Sequence, residues 1–244
     1  MAAHRSLVCK GCWQNLHMPV VLRGVLSVPY RMVGIKPSRM NPNTCTFCEL
    51  MFSKVMRATK ITIDATILFA DLRAYTSLSQ SLSASEMGGV LDIFYDECAA
   101  AIWEYDGLLN KTIGDAVMAV FNFPINQEDH ARKAVLAARE IQRRCAAKRP
   151  EFEALLGGSG GEIGVGIGVN CGELSFGEFG RSHRDLTAIG TVVNTAARAQ
   201  SAAAPGEILV TEAVYERARA DLPGSRCKPY ELKGFTQPIS LYAV

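Results

Sequence analysis

The tightest constraint on this chain is a pair of apolar strands that each lead to an aspartate. One is Ile67 to Asp71 (ILFAD). The other lies within Gly107 to Phe121, where Lys111 to Asp115 (KTIGD) leads into Ala116 to Phe121 (AVMAVF). The second run reads as a β-hairpin with a Gly-Asp turn, which leaves the Asp115 carboxylate free at the end of a strand. If the two strands pair, two carboxylates converge at one edge of a sheet. So few protein ligands make an open site for Mg²⁺, which keeps its waters and takes substrate phosphates.

The pattern around these strands is mixed. Residues 61–70 read as a buried strand. Ser83 and Glu86 form a capping box for a helix reaching about residue 105, with Leu82 placed as its hydrophobic staple. Cys98 falls on the core face of that helix. A second helix is expected from about 126 to 148. Its many Lys and Arg read as a solvated face, because no aromatics interleave for nucleic acid. Residues 157–161 form a glycine-rich loop tip. Strands follow over 162–169 and 173–179, separated by a turn at Asn170-Cys-Gly172. A strand over 186–189, a helix opened by Gly190 and running to about 202, and a strand over 208–210 come next. Thr211 caps a helix to about 220, and strands at 230–232 and 239–243 close the chain.

The net charge of +2 predicts no strong pull toward nucleic acid or an anionic membrane. No signal peptide is visible, and no window approaches the roughly 20 apolar residues of a membrane span. A soluble, cytoplasmic protein is expected.

The first 58 residues read as a separate module. Cys9-x-x-Cys12 and Cys45-x-x-Cys48 supply four thiolates, the set a closed tetrahedral zinc site needs. An iron–sulfur cluster uses the same set, and a redox dithiol pair or unlinked cysteines are the plainer readings. So small a segment gains from a metal staple. His4 and His17 read as bystanders. A helix over 45–58 joins the module to the rest, as plain packing or as a lever between them. Residues 59–244 form the second domain.

Asn194 and Arg198 share one face of the helix after Gly190. The guanidinium suits phosphoryl oxygens and the amide suits a sugar oxygen. With two carboxylates and Lys111, they read as a nucleoside-triphosphate site. There is no Gly-x-x-x-x-Gly-Lys-Ser/Thr loop, so the P-loop mode is excluded.

These segments carry a resemblance. Phe69 to Thr76 (FADLRAYT), Lys111 to Asp115 and Gly190 to Arg198 (GTVVNTAAR), with weaker support from Gly164 to Gly168 and from Lys233-Gly234, resemble class III adenylyl/guanylyl cyclase catalytic domains. The resemblance implies an α+β, ferredoxin-like fold of βαββαβ type with a mixed antiparallel sheet. It implies that Asp71 and Asp115, helped by the Leu72 carbonyl, hold two Mg²⁺ or Mn²⁺ ions. Lys111 and Thr187 then read the base, Asn194 orients the ribose, Arg198 stabilises the transition state, and Lys233 contacts the triphosphate. Lys111 with Thr187 points to ATP rather than GTP. The implied enzyme is an adenylyl cyclase working as a head-to-tail homodimer with shared sites. Alternatives are a guanylyl cyclase or a catalytically silent nucleotide-binding module. Thr at 187 is similar to bicarbonate-responsive soluble cyclases. Two positions depart from the common pattern: Ala74 stands where Gly is usual, and Thr187 where Asp is usual.

Overall fold

Ile61–Leu72 forms β1, the strand on which the sheet is built. Residues 65–70 are buried without polar alternation, as expected of a strand covered on both faces. The structure is a computed structural model that describes residues 5–58, 60–73, 83–156, 164–180, 182 and 185–244. Before β1 come α1 (Lys10–Leu16), α2 (Val28–Met32) and α3 (Thr46–Ala58). After it come α4 (Ala84–Glu104), β2 (Leu108–Ile113), β3 (Ala116–Phe121), α5 (His130–Ala147) and α6 (Arg149–Leu155). The chain continues with β4 (Val165–Phe179), β5 (Asp185–Ile189), α7 (Thr191–Ala202), β6 (Ile208–Thr211), α8 (Glu212–Ala218), β7 (Arg226–Tyr230) and β8 (Ile239–Ala243). Among the described residues, no helix is long and apolar enough to cross a membrane.

The strand order is β2-β3-β1-β4-β6-β8-β7, with β5 paired to β4. All pairings are antiparallel except β4 with β6. The unit β1-α4-β2-β3-α5-β4 is the expected ferredoxin-like core, and the later strands widen it. Leu68, Ala70 and Leu72 point to the α4–α5 face, with Phe94, Ile102, Phe121 and Ile141. Ala65, Ile67 and Phe69 point to the opposite face, with Val192 and Ala196 of α7. The capping box of Ser83 and Glu86 is present in full. Cys98 is fully buried in the core, as its helical position predicts.

Several local expectations are corrected. Asn170 to Gly172 make no turn, and β4 runs unbroken through them, paired with Ala65, Thr66 and Ile67 of β1. The polar signal has another cause. Asn170 is buried, donates Nδ2 to the Val192 carbonyl at 3.0 Å, and accepts the Thr211 hydroxyl at 2.6 Å. Thr211 therefore sits at the N-cap position of α8 but spends its hydroxyl on Asn170. Helix α5 starts at His130, not near 126, because Gln14 engages the Asn126 backbone at both its N–H (2.9 Å) and its carbonyl (3.2 Å). The strand expected at 230–232 ends at Tyr230, and Leu232 instead packs in a small cluster with Leu209 and Leu241. Leu82, Ala74, the loop tip at 157–161 and residues 162–163 lie outside the described residues.

Candidate active site and cysteine centre

Strand pairing brings the two aspartates together. Asp71 lies opposite Ala116, and the Leu72 N–H donates to the Asp115 carbonyl at 3.1 Å. The β2–β3 hairpin turn thus sits beside the end of β1, with its backbone held by it. Burial, and then the Asp115 charge, push the Asp71 carboxyl up to about 6, while the Arg73 guanidinium pulls it back. Arg73 Nη1 lies 3.2 Å from Asp71 Oδ1. The same guanidinium donates to the Gln200 carbonyl on α7. Two crowded carboxylates, one already desolvated, fit a divalent cation, which removes their mutual repulsion.

A second set gathers on β2 and β5. Lys111 forms an ion pair with Asp185, and Asn110 Nδ2 donates to the Leu186 carbonyl at 2.9 Å. Asp185 and Thr187 share one face of β5, since side chains alternate along a strand. Lys111 and Thr187 therefore meet the same side. Asn194 and Arg198 stand exposed on α7, four residues apart as expected. Among the described residues, the Arg198 side chain makes no ion pair or hydrogen bond, and no side-chain bond joins the Asp71–Asp115 set to the Asn194–Arg198 set. Lys233 is exposed between β7 and β8.

The four N-terminal cysteines converge. Their sulfurs all lie within 4.8 Å of one another, and all four side chains are buried. Cys9 and Cys48 are 3.6 Å apart, Cys12 and Cys45 3.5 Å, and Cys12 and Cys48 3.2 Å. All four thiols are free. A tetrahedral ion with bonds of about 2.3 Å needs sulfurs about 3.8 Å apart. The set fits one ion; a cluster of several irons needs wider spacing. Each pair also repeats one device. Cys12 N–H donates to Cys9 Sγ at 3.3 Å, and Cys48 N–H to Cys45 Sγ at 3.4 Å, at the starts of α1 and α3. Such donors favour thiolate. Burial pushes Cys12 up to about 12, while thiol hydrogen bonds from Cys48 and then Cys9 pull Cys45 down. A bound cation would resolve this conflict by holding all four as thiolates.

This centre is tied to the sheet at several points. Asp106, buried and in the left-handed region at φ 60°, receives Lys10 at 2.5 Å and Asn43 Nδ2 at 2.8 Å. Leu109 N–H donates to the Met40 carbonyl at 3.0 Å, just before the bulge that precedes Lys111. Phe52 of α3 meets Phe123 edge-on at 5.3 Å, and Phe123 packs on Phe176 at 4.6 Å. Helix α3 packs against the sheet through Phe52.

Residues 58–244 match the family model of the adenylate and guanylate cyclase catalytic domain. The chain belongs to this cyclase family. It is 32% identical over 187 residues to an adenylate cyclase of Anabaena cylindrica, covering 73% of this chain and 36% of that protein. It is 33% identical over 181 residues to an uncharacterized protein of Mycobacterium tuberculosis, covering 72% of this chain and 30% of that one. The chain thus spans about a third of the length of these curated relatives. Among solved structures, adenylyl cyclase CyaB from P. aeruginosa superposes with a TM-score of 0.69 at 29% identity, covering 76% of this chain and 95% of that one. The guanylyl cyclase Cya2 gives 0.67 at 28%, covering 75% and 92%.

Three residues beside the candidate site were not legible in the sequence. Arg73 and Gln200 meet only through the fold. Asp185 carries one signal that was available: it stands two positions before Thr187 on the same strand face, where a carboxylate meets whatever Thr187 meets.

Proposed function

We propose that this cyclase converts ATP to 3′,5′-cyclic AMP and pyrophosphate in a homodimer with two equivalent sites. The observation that carries the reading is the crowding of Asp71 and Asp115 at the end of β1, where the Asp115 charge helps raise the Asp71 carboxyl. Asp71, Asp115 and the Leu72 carbonyl would hold Mg²⁺ or Mn²⁺, two ions per site. When bound, the ions would acidify the ribose 3′-hydroxyl and neutralise the triphosphate. The 3′-oxygen bonds to the α-phosphorus as its proton passes to solvent water. The bond from that phosphorus to the bridging oxygen breaks, and pyrophosphate departs with the electron pair. Arg198 stabilises charge on the phosphoryl oxygens, a contact worth about 10²–10³ in rate. Asn194 orients the ribose, and Lys233 contacts the triphosphate. Lys111 and Thr187 read the base; Lys111 must loosen its pairing with Asp185 to do so. The free guanidinium of Arg198 supports a site completed by the partner subunit.

The Anabaena relative and CyaB, both adenylate cyclases by name, support ATP. GTP is the second reading, favoured by the comparable likeness to the guanylyl cyclase Cya2. Purified protein incubated with ATP or GTP, with Mg²⁺ or Mn²⁺, is assayed for cyclic AMP and cyclic GMP. Cyclic AMP is expected. Cyclic GMP alone overturns the substrate, and no cyclic product from an intact dimer leaves a silent nucleotide-binding module. The four cysteines would hold one zinc ion, a reading supported by their single-ion spacing, and elemental analysis with an absorption spectrum separates zinc from iron. Bicarbonate activation rests on Thr187 alone, and a flat response to bicarbonate at fixed pH removes it.

A further inference from the structure

The N-terminal module displays its apolar residues rather than hiding them. Twelve of the fourteen exposed large apolar side chains among the described residues fall within the first 51 positions. Five crowd into residues 25–33: Val25 is 87% exposed, Leu26 75%, Val28 51%, Met32 83% and Val33 73%. So dense a patch on a folded surface marks a contact site.

This tip is a built structure. Gly24 and Gly34, both at φ 81°, turn the chain at its two ends. Ile35 N–H closes its base on the Tyr30 carbonyl at 2.9 Å, and buried Ser27 donates its hydroxyl to the Gly24 carbonyl at 2.7 Å. Val20 and Leu22 are buried with the cysteines, and Tyr30 and Ile35 pack against them. The cysteine core has thus taken its share of apolar residues, and the tip is left outside.

Charge chooses the partner. Residues 1–48 contain six Lys/Arg and no Asp or Glu. Lys10 is spent on Asp106, and Arg23 on the Ser6 and Pro42 carbonyls. Arg31, Lys36 and Arg39 are exposed, and among the described residues they make no ion pair. A second copy docking through this face would bring cations onto cations. Nucleic acid has no use for an aliphatic tip. An anionic bilayer meets both demands, since its acyl boundary takes the apolar residues and its phosphates take the cations.

We infer that the 24–36 tip of the cysteine module is a peripheral docking surface for anionic lipid. Val25, Leu26, Val28, Met32 and Val33 enter the headgroup–acyl boundary, while Arg31 and Lys36, with Arg39 beyond them, lie against lipid phosphates. The tip is already ordered, so little conformational freedom is lost on docking. The cyclase half stays in water.

The test uses the full chain and sedimentation with vesicles, either neutral phosphatidylcholine or containing about one-third phosphatidylserine. Binding to the phosphatidylserine vesicles is expected, with weakening as salt rises. Leu26→Ser combined with Met32→Ser should lower it at least about tenfold. Arg31→Gln and Lys36→Gln should each lower it about fivefold at low salt. Circular dichroism and nucleotide turnover in solution should match the parent for every variant, which shows that the fold survived. The inference is overturned if the parent ignores both vesicle types, or if the serine variant binds as well as the parent. It is equally overturned if that variant changes the oligomeric state without lipid, which assigns the tip to a protein contact.

Discussion

Gly168→Ala isolates how the sheet positions the helix that carries Asn194 and Arg198. On β4, Val165, Ile167 and Val169 face the α4–α5 core. Gly164, Gly166 and Gly168 alternate with them and leave bare backbone on the other face. A Cβ at Gly168 would lie 2.7 Å from Gln200 Cα of α7, and closer still to the Gln200 amide and the Ala196 carbonyl. Carbon contacts are relaxed at about 3.5–4.0 Å. The helix must therefore retreat by about 1 Å, and both sides of the clash are backbone. Overpacking of this kind costs about 1–3 kcal/mol, and the rigidity places this case near the top. At about 2–4 °C per kcal/mol for a chain of this size, the melting temperature should fall by roughly 6–12 °C. A shift of about 1 Å in Asn194 and Arg198 should lower turnover by about 10². Gly166→Ala is the control, because the atoms nearest its Cβ belong to the end of the Arg73 side chain, which can move. It should cost less stability while disturbing the Arg73 contact with Asp71. Thermal unfolding by circular dichroism and a cyclic-nucleotide assay read both effects. A Gly168→Ala protein that melts within about 2 °C of the parent and turns over normally would refute the close-packing argument.

Asp71→Ala and Arg198→Ala should each lose about 10² or more in rate. An equal mixture should recover about a quarter of parental activity, because half the dimers would carry one intact site; no recovery rules out a shared site. Asp71 titrates near 6, above its usual 3.8, so Mn²⁺ binding followed by electron paramagnetic resonance should weaken as pH falls through about 6. The native state of the metal-free protein binds the extra proton, so its stability should instead decline slightly as pH rises from 3.8 toward 6. A pH-independent Mn²⁺ affinity between 5 and 7, taken as approximate limits, contradicts this. Cys9→Ser, or prolonged treatment with a strong chelator, should lower the melting temperature, since a closed thiolate site contributes its binding energy to folding; an unchanged melting curve and no co-purifying metal dismiss the centre. His130 is buried and its pKa lowered mainly by that burial, with Nδ1 2.7 Å from the Thr66 hydroxyl. Its contribution to stability should be present at neutral pH and lost as pH falls below the usual 6.5, and His130→Gln should flatten that part of the urea-denaturation profile.

Average charge conceals something that position reveals. The chain carries +2 overall, which argues against an anionic surface as a partner. Yet residues 1–48 hold six cations and no acid, while the remainder holds 20 Lys/Arg against 24 Asp/Glu. A uniform reading of net charge fails because screening confines each group's influence to about 10 Å. The local excess decides what the module can meet.

Local signals in the chain determined much of the framework. The Gly-Asp turn between two apolar runs made the β2–β3 hairpin, and the capping box of Ser83 and Glu86 opened α4 as read. The two C-x-x-C pairs read as a candidate metal site, and their four sulfurs do converge. The convergence of Asp71 and Asp115 followed once β1 and β3 paired. What tertiary structure alone decided was the partner of each polar group. Asn170 and Gly172 carried a turn signal, but β1 was long enough to pair straight through them, and Asn170 turned inward to bind Val192 and Thr211. Arg73 reached Gln200 only because Gly166 left room for it. Lys111 met Asp185 only because β5 lay across from β2. The apolar residues at 25–33 stand outside because the cysteines and their neighbours fill the module's small interior. Turn, cap and alternation preferences act over a few residues and are written locally. Which distant backbone or charge approaches a side chain depends on packing, and packing is a property of the whole chain.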